Sequence, residues 1–105
     1  MEWRITDPDP EGFENVVISG DCDLYAAPSF AAAVQARIAG GAMRLRLDLT
    51  AVEYLDSTGV GALIRILQAA KRTGAELRFR GVGGTPRKVL KMSNILSLMR
   101  EDSKS

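Results

Sequence analysis

What most constrains this chain is a hydrophobic period that switches from two to about 3.6 residues and back between positions 43 and 80. Met43 to Leu49 alternates, with Met43, Leu45, Leu47 and Leu49 on one side and Arg44, Arg46 and Asp48 on the other. Successive strand side chains point to opposite faces, so this segment reads as a half-buried strand. From about Ser57 to Thr73 the apolar residues recur at helical spacing, and Gly74 is the C-terminal stop. Glu76 to Arg80 alternates again, Leu77 and Phe79 inward, Glu76, Arg78 and Arg80 outward. A strand–helix–strand unit joins parallel neighbours through a right-handed crossover. Parallel strands covered on both faces are apolar throughout. These alternate, so one sheet face is expected to carry the helices and the other to meet water. The expected fold is α/β, a two-layer arrangement of a mixed, mostly parallel sheet with helices packed on one face.

The flanking segments fit that plan. Trp3 to Thr6 reads as a short edge strand ended by the turn Asp7-Pro8-Asp9-Pro10-Glu11-Gly12. Phe13 to Ser19, closed by Gly20, completes an antiparallel hairpin. Pro28 to Ala39 carries Phe30, Val34 and Ile38 one helical turn apart, with Pro28 in the first turn and Gly40-Gly41 as the stop. Gly81 to Pro86 reads as a glycine-rich connection and Arg87 to Met92 as a third helix, with Val89, Leu90 and Met92 as its apolar side. Ile95, Leu96, Leu98 and Met99 make a last apolar patch. One domain is expected over residues 1–100, followed by a frayed polar tail at 101–105.

Composition removes several chemistries. A chain of 105 residues, 46% of them hydrophobic, can bury one core without disulfides or metal. Lys and Arg total 14 against 13 Asp and Glu, which gives no argument for nucleic acid or a membrane surface. There is no His, so Ser-His-Asp triads and His metal sites are excluded. The single Cys22 can form neither an internal disulfide nor a Cys-rich zinc site. Between two aspartates its thiol is not activated, and it reads as a small buried hydrophobe. The start Met1-Glu2-Trp3-Arg4 lacks the pattern of a signal peptide, and no run approaches the roughly 20 apolar residues of a membrane helix. A cytoplasmic location without direct membrane contact is expected.

The segment Asp56-Ser57-Thr58-Gly59-Val60-Gly61 stands where strand and loop give way to the second long helix. Ser and Asp there can cap orphan N–H groups, and the helix start carries partial positive charge. Ser57 therefore reads either as a plain cap or as a modifiable hydroxyl at an exposed helix start. Two glycines in the opening turns are costly, about 1 kcal/mol each against Ala. Close backbone approach, by a neighbouring segment or by a partner protein, would offset that. Val60, Leu63, Ile64, Leu67 and Ala70 form the stripe expected to face the sheet. Ala62, Ile66 and Ala69 widen it, leaving Arg65, Gln68, Lys71 and Arg72 for solvent. So broad a face packs on two sides, or packs on one and docks something with the other.

Three stretches together resemble a known family. Ser19-Gly20-Asp21-Cys22-Asp23-Leu24 with Ala26-Ala27-Pro28 is similar to the Gly-Glu-Leu-Asp and Thr-Ala-Pro signature of STAS domains. Asp48-Leu49 followed by Leu55-Asp56-Ser57-Thr58-Gly59-Val60-Gly61 resembles its Asp-Ser-Ser-Gly-Leu-Gly motif, and Arg87-Lys88-Val89-Leu90-Lys91-Met92-Ser93 its third-helix pattern. The resemblance runs from Trp3 to Leu98 and implies a stand-alone anti-sigma factor antagonist, a regulatory module rather than an enzyme. It implies phosphorylation at Ser57 by an anti-sigma factor serine kinase, with Thr58 as a second candidate hydroxyl, and reset by a serine phosphatase. Asp23, Asp56, Ser57, Thr58, Gly59 and Gly61 would form the docking surface; the other reading of Asp23 is a plain cap of the turn that follows it. ATP and magnesium would belong to the kinase, leaving this chain without cofactor or metal. A monomer or weak dimer is expected. The family pattern continues with a final strand and helix, and the seven residues after Leu98 are too few for that helix.

Other readings carry less. Arg44, Arg46, Arg78 and Arg80 form a basic stripe on the bare sheet face, expected to be solvated because Asp48 and Glu76 share it. Gly81-Val82-Gly83-Gly84-Thr85 lacks the spacing and Lys-Ser/Thr ending of a phosphate loop. The alternative function is a soluble STAS subunit of a membrane transport complex, for lipid or anions, docking through the same surface without phosphorylation.

Overall fold

The structure is a computed structural model and describes residues 1–102. Strand β1 (Glu2–Ile5) runs antiparallel to β2 (Glu14–Cys22), pairing Trp3 with Ile18. Helix α1 (Ala27–Ala39) leads to β3 (Arg44–Leu55), which lies parallel to β2 with Val16 opposite Leu47. Helix α2 (Ser57–Thr73) leads to β4 (Glu76–Arg80), parallel to β3 with Leu47 opposite Phe79. The sheet order is β1-β2-β3-β4. Both crossovers step across the sheet in one direction, so their right-handedness sets α1 and α2 on the same face, where they pack on each other. The mixed, mostly parallel sheet of the α/β expectation is what forms.

Phe30 and Val34 of α1, Leu63 and Ile66 of α2, Leu45 and Leu47 of β3 and Phe79 of β4 are each 1% exposed or less. Burying a side chain of this kind contributes about 1.5–3 kcal/mol. Trp3 adds an edge-on contact to Phe30, ring centroids 5.8 Å apart.

Four departures have local causes. First, β3 runs to Leu55, whereas the alternation marks only Met43 to Leu49. It carries one extra residue opposite Val17–Ser19 and another opposite Gly20–Asp21 of β2. Such bulges reset which residue faces inward, so the buried positions after Leu49 are Val52 and Leu55. Second, α3 (Gly84–Met92) begins within the expected glycine-rich connection. Pro86 fits its first turn, where a missing N–H has no intrahelical partner. α3 then packs against β3 and the 3-10 turn Leu96–Leu98.

The third departure is the orientation of α2. Ile66 is fully buried while Ile64 is 36% exposed. α2 meets α1 as well as the sheet, and the second contact turns its buried arc toward Ala62, Ile66 and Ala69.

The fourth is the sheet face expected to be a solvated arginine stripe. Arg46 is only 4% exposed. Its guanidinium reaches Asp9 at 2.8 Å, Glu11 at 2.9 Å and Asp102 at 2.5 Å, and donates to Asn15 Oδ1 at 3.2 Å. It lies 4.4 Å over the Phe13 ring, which Arg44 also covers at 4.3 Å. Arg44 donates to Glu76 and to the Glu11 carbonyl, and Arg78 pairs with Glu76 at 2.7 Å. The Asn15 amide, then the Phe13 N–H and Arg46, hold the Asp9 carboxyl well below the usual carboxylate range. Asp102 arrives on a segment beside β4: the Phe79 N–H donates to the Arg100 carbonyl at 2.9 Å and the Asp102 N–H to the Phe79 carbonyl at 2.8 Å. Glu101 and Asp102, read as the start of a frayed tail, are thus hydrogen-bonded onto or ion-paired with the sheet; residues 103–105 lie outside those described.

Candidate functional site

The site grows from the junction of β3 and α2. Leu55 ends β3 with its side chain in the core, and Asp56 takes extended backbone (φ −97°, ψ −174°) as the N-cap of α2. One carboxylate oxygen, Oδ1, accepts the Gly59 N–H at 2.9 Å, an Asp cap satisfying one of the helix's orphan donors. The other, Oδ2, accepts the Leu24 N–H at 3.1 Å and so ties the β2–α1 loop to the helix start. Asp23 stabilises that loop from within, its Oδ1 accepting the Tyr25 N–H at 3.1 Å and the Ala26 N–H at 3.2 Å. The cap expected of Asp23 is present. Asp56 thereby brings the two motif segments, 32 residues apart, to one corner of the molecule.

Ser57 is the first residue of α2 and is exposed; Thr58 is half-buried. Gly59 is buried, and a Cβ there would collide with the Cys22 carbonyl and stand 2.6 Å from Leu55 Cδ1. The close approach that explains this glycine is internal. Gly61, one turn beyond Ser57, is half-buried. Cys22 is 3% exposed, and burial, with Asp56 and Asp23 adding, pushes its thiol up to about 11. At neutral pH it is a protonated small hydrophobe, as the sequence suggests.

The corner also carries three large side chains, none among the site residues expected from the sequence. Tyr25 is 88% exposed, Leu24 58% and Tyr54 48%. The available signal was Leu24-Tyr25 standing in a short turn before Pro28, where neither residue can join the buried stripe of α1. Chemically, the corner offers an exposed hydroxyl at a positive helix end, carboxylates already engaged with backbone N–H groups, and apolar side chains facing outward. Among the described residues no group of three or more His, Cys, Asp or Glu is placed to hold a metal ion, and no helix is long and apolar enough to cross a membrane.

Comparison with known proteins bears on the family and the fold. The anti-sigma-B factor antagonist of Listeria monocytogenes is 31% identical over 68 residues, covering 65% of this chain and only 60% of that relative's own length. The protein of the same name from Staphylococcus aureus is 25% identical over 99 residues, covering 94% of this chain and 92% of the relative. The solved structure of the anti-sigma factor antagonist SpoIIAA in its unphosphorylated form superposes with a TM-score of 0.81 at 17% identity, over 98% of this chain and 90% of that one, a likeness of fold. A family model described as "Mlab, STAS domain" matches residues 11–100. With the Asp-Ser-Thr-Gly corner seated on the four-stranded mixed sheet, that match makes this chain a member of the STAS domain family.

Proposed function

We propose that this chain is an anti-sigma factor antagonist switched at Ser57. In its unmodified form it binds an anti-sigma factor serine kinase and so frees a sigma factor; phosphorylation at Ser57 ends that binding, and a serine phosphatase restores it. The observation that carries this reading is the Ser57 hydroxyl, exposed at the first turn of α2 beside a carboxylate, Asp56, that is already engaged on both oxygens. Asp56 is a clamp for the corner, and Thr58, half-buried, is the second candidate hydroxyl.

In the transfer, Ser57 Oγ bonds to the γ-phosphorus of the partner's ATP as the bond to the ADP oxygen breaks, and the hydroxyl proton passes to a base on the partner. The product carries about −1.5 to −2 charges. The helix start accommodates them, so the fold need not change. A docked partner group of like charge is repelled. Two unit charges ~6 Å apart at an effective dielectric of ~20 interact by roughly 3 kcal/mol. That is on the order of a hundredfold in affinity, enough for a switch.

The test incubates the protein with a purified anti-sigma serine kinase, magnesium and ATP, and reads intact mass and site. The expected result is a gain of about 80 Da for one phosphate, absent in Ser57→Ala. A gain that survives Ser57→Ala moves the site to Thr58. No gain on the wild type ends the kinase-substrate reading and favours a docking subunit of a transport complex that is not phosphorylated.

A further inference from the structure

We propose that the free edge of β1 pairs with the same edge of a second copy of this chain. The two strands run antiparallel with Trp3 opposite Trp3 of the partner subunit, so that two four-stranded sheets join edge to edge. This pairing needs nothing from Ser57, and either can fail without the other.

The backbone sets which groups are on offer. β1 stands at the end of the sheet and is bonded to β2 on one side only. Its register with β2 runs unbroken from Glu2 opposite Ser19 to Ile5 opposite Val16. It continues one residue further, where the Thr6 N–H donates to the Asn15 carbonyl at 2.9 Å. In an antiparallel ladder, residues that turn their N–H and C=O toward the neighbouring strand alternate with residues that turn them away. Thr6 is turned toward β2, so Arg4 and Glu2 are as well, and Trp3 and Ile5 aim their N–H and C=O out of the sheet. Such a row is a template for another strand. With Trp3 opposite Trp3, the two residues exchange both hydrogen bonds, and Ile5 meets Met1 of the partner subunit in the same way.

The side chains select a second copy as the occupant and fix its register. Trp3 packs on Phe30 on the helix side, so by alternation Glu2 and Arg4 stand on the other face. Both are exposed, and neither forms an ion pair among the described residues. With Trp3 opposite Trp3, Glu2 lies directly across from the partner's Arg4, and symmetry repeats the pair. These are the positions without hydrogen bonds, where side chains come closest, at about 4.5 Å between Cα atoms. Opposite charges so placed contribute roughly 0.2–1 kcal/mol a pair. A slip of two residues sets Glu2 against Glu2 or Arg4 against Arg4. A slip of one sets outward-turned groups against inward-turned ones and loses the hydrogen bonds. Charges on a short edge strand ordinarily discourage pairing; here they attract in one register and repel in its neighbours. On the helix side the same register covers the half-buried Met1, Trp3 and Ile5, which already pack on the core. A strand of four residues buries far less than the roughly 1,200–2,000 Å² of a stable complex, so the dimer is a weak one.

The experiment is sedimentation velocity over a concentration series on wild type, E2R, R4E and an equimolar mixture of the two variants. Wild type is expected to dimerise with a dissociation constant between about 10 μM and 1 mM. E2R sets arginine against arginine and R4E glutamate against glutamate, so each alone should self-associate about tenfold more weakly. Mixed, the two variants restore both opposite-charge pairs and should dimerise like wild type. Both positions are exposed, so melting temperatures should agree within about 4 °C. Hydrogen exchange on wild type tests the same register without any substitution. It should slow with rising protein concentration at the outward-facing Trp3 and Ile5 amides, and least at Arg4. A wild type that stays monomeric at about 1 mM, single variants that pair as tightly as wild type, or a mixture no tighter than its components overturns the pairing. A dimer that leaves exchange at Trp3 and Ile5 unchanged puts the contact elsewhere and overturns it as well.

Discussion

The corner at Asp56 and the cluster at Arg46 are both built from carboxylates, and they use them in opposite ways. Around Arg46 three carboxylates converge on one guanidinium that is 4% exposed. At the corner, Asp56 and Asp23 meet backbone N–H groups, with no ion pair to either among the described residues. Removing a guanidinium from water is costly unless several partners and hydrogen bonds surround it. That requirement draws in the 9–13 loop and the 100–102 segment and locks them to β3. Backbone N–H partners ask for less, and they leave the neighbouring Ser57 exposed. The charge gathered around Arg46 thus belongs to the architecture, whereas the corner at Asp56 is chemically spare.

Perturbing each region should separate these roles. The largest effect is expected from Arg46→Ala, which removes the buried cation shared by Asp9, Glu11 and Asp102 and leaves Asp102 only Arg78 and Arg80 at 3.7 Å; a loss of about 3–5 kcal/mol should appear in chemical denaturation. A loss near zero would mean the cluster is ordinary surface. Acid removes one partner of the same cluster. Asp9 is held below its ordinary value of 3.8, so its contribution is complete above that value and disappears as pH falls through the lower folded one. The melting temperature should be flat from neutral pH to about 5 and fall below about 4, with a shallower acid limb in Asp9→Asn. Asp56→Ala should cost about 1 kcal/mol through loss of the cap and speed hydrogen exchange at the Leu24 amide, whose acceptor is gone. The smallest change in stability is expected from Ser57→Asp, within about 0.5 kcal/mol of wild type. Its affinity for the anti-sigma kinase should nonetheless drop clearly. Equal affinity would contradict the repulsion mechanism.

Legibility in the sequence followed the same division. The Asp56-Ser57-Thr58-Gly59 turn is contiguous, so its cap, its helix and its exposed hydroxyl could be read from neighbouring residues. The role of Arg46 could not, because Asp9 and Asp102 lie 37 and 56 positions away and neither marks itself as a partner. The exact orientation of α2 is not written in its own stripe for a similar reason. A helical stripe shows which residues are apolar, but contact with α1 selected Ile66 over Ile64 for burial. The far end of β3 escaped because its bulges convert alternation into a spacing of three at Leu49, Val52 and Leu55.

By itself, then, the sequence determined the order of strands and helices, the inward residues of the regular strands from Leu45 onward (Met43 precedes β3 and is 54% exposed) and the capping chemistry of the α2 start, since each depends on residues within a few turns of one another. The tertiary structure decided which glycine is forced by internal contact, which isoleucine faces outward, and which arginine is withdrawn from water. Those outcomes depend on segments that meet only after folding, where steric fit and desolvation act between residues far apart in the chain.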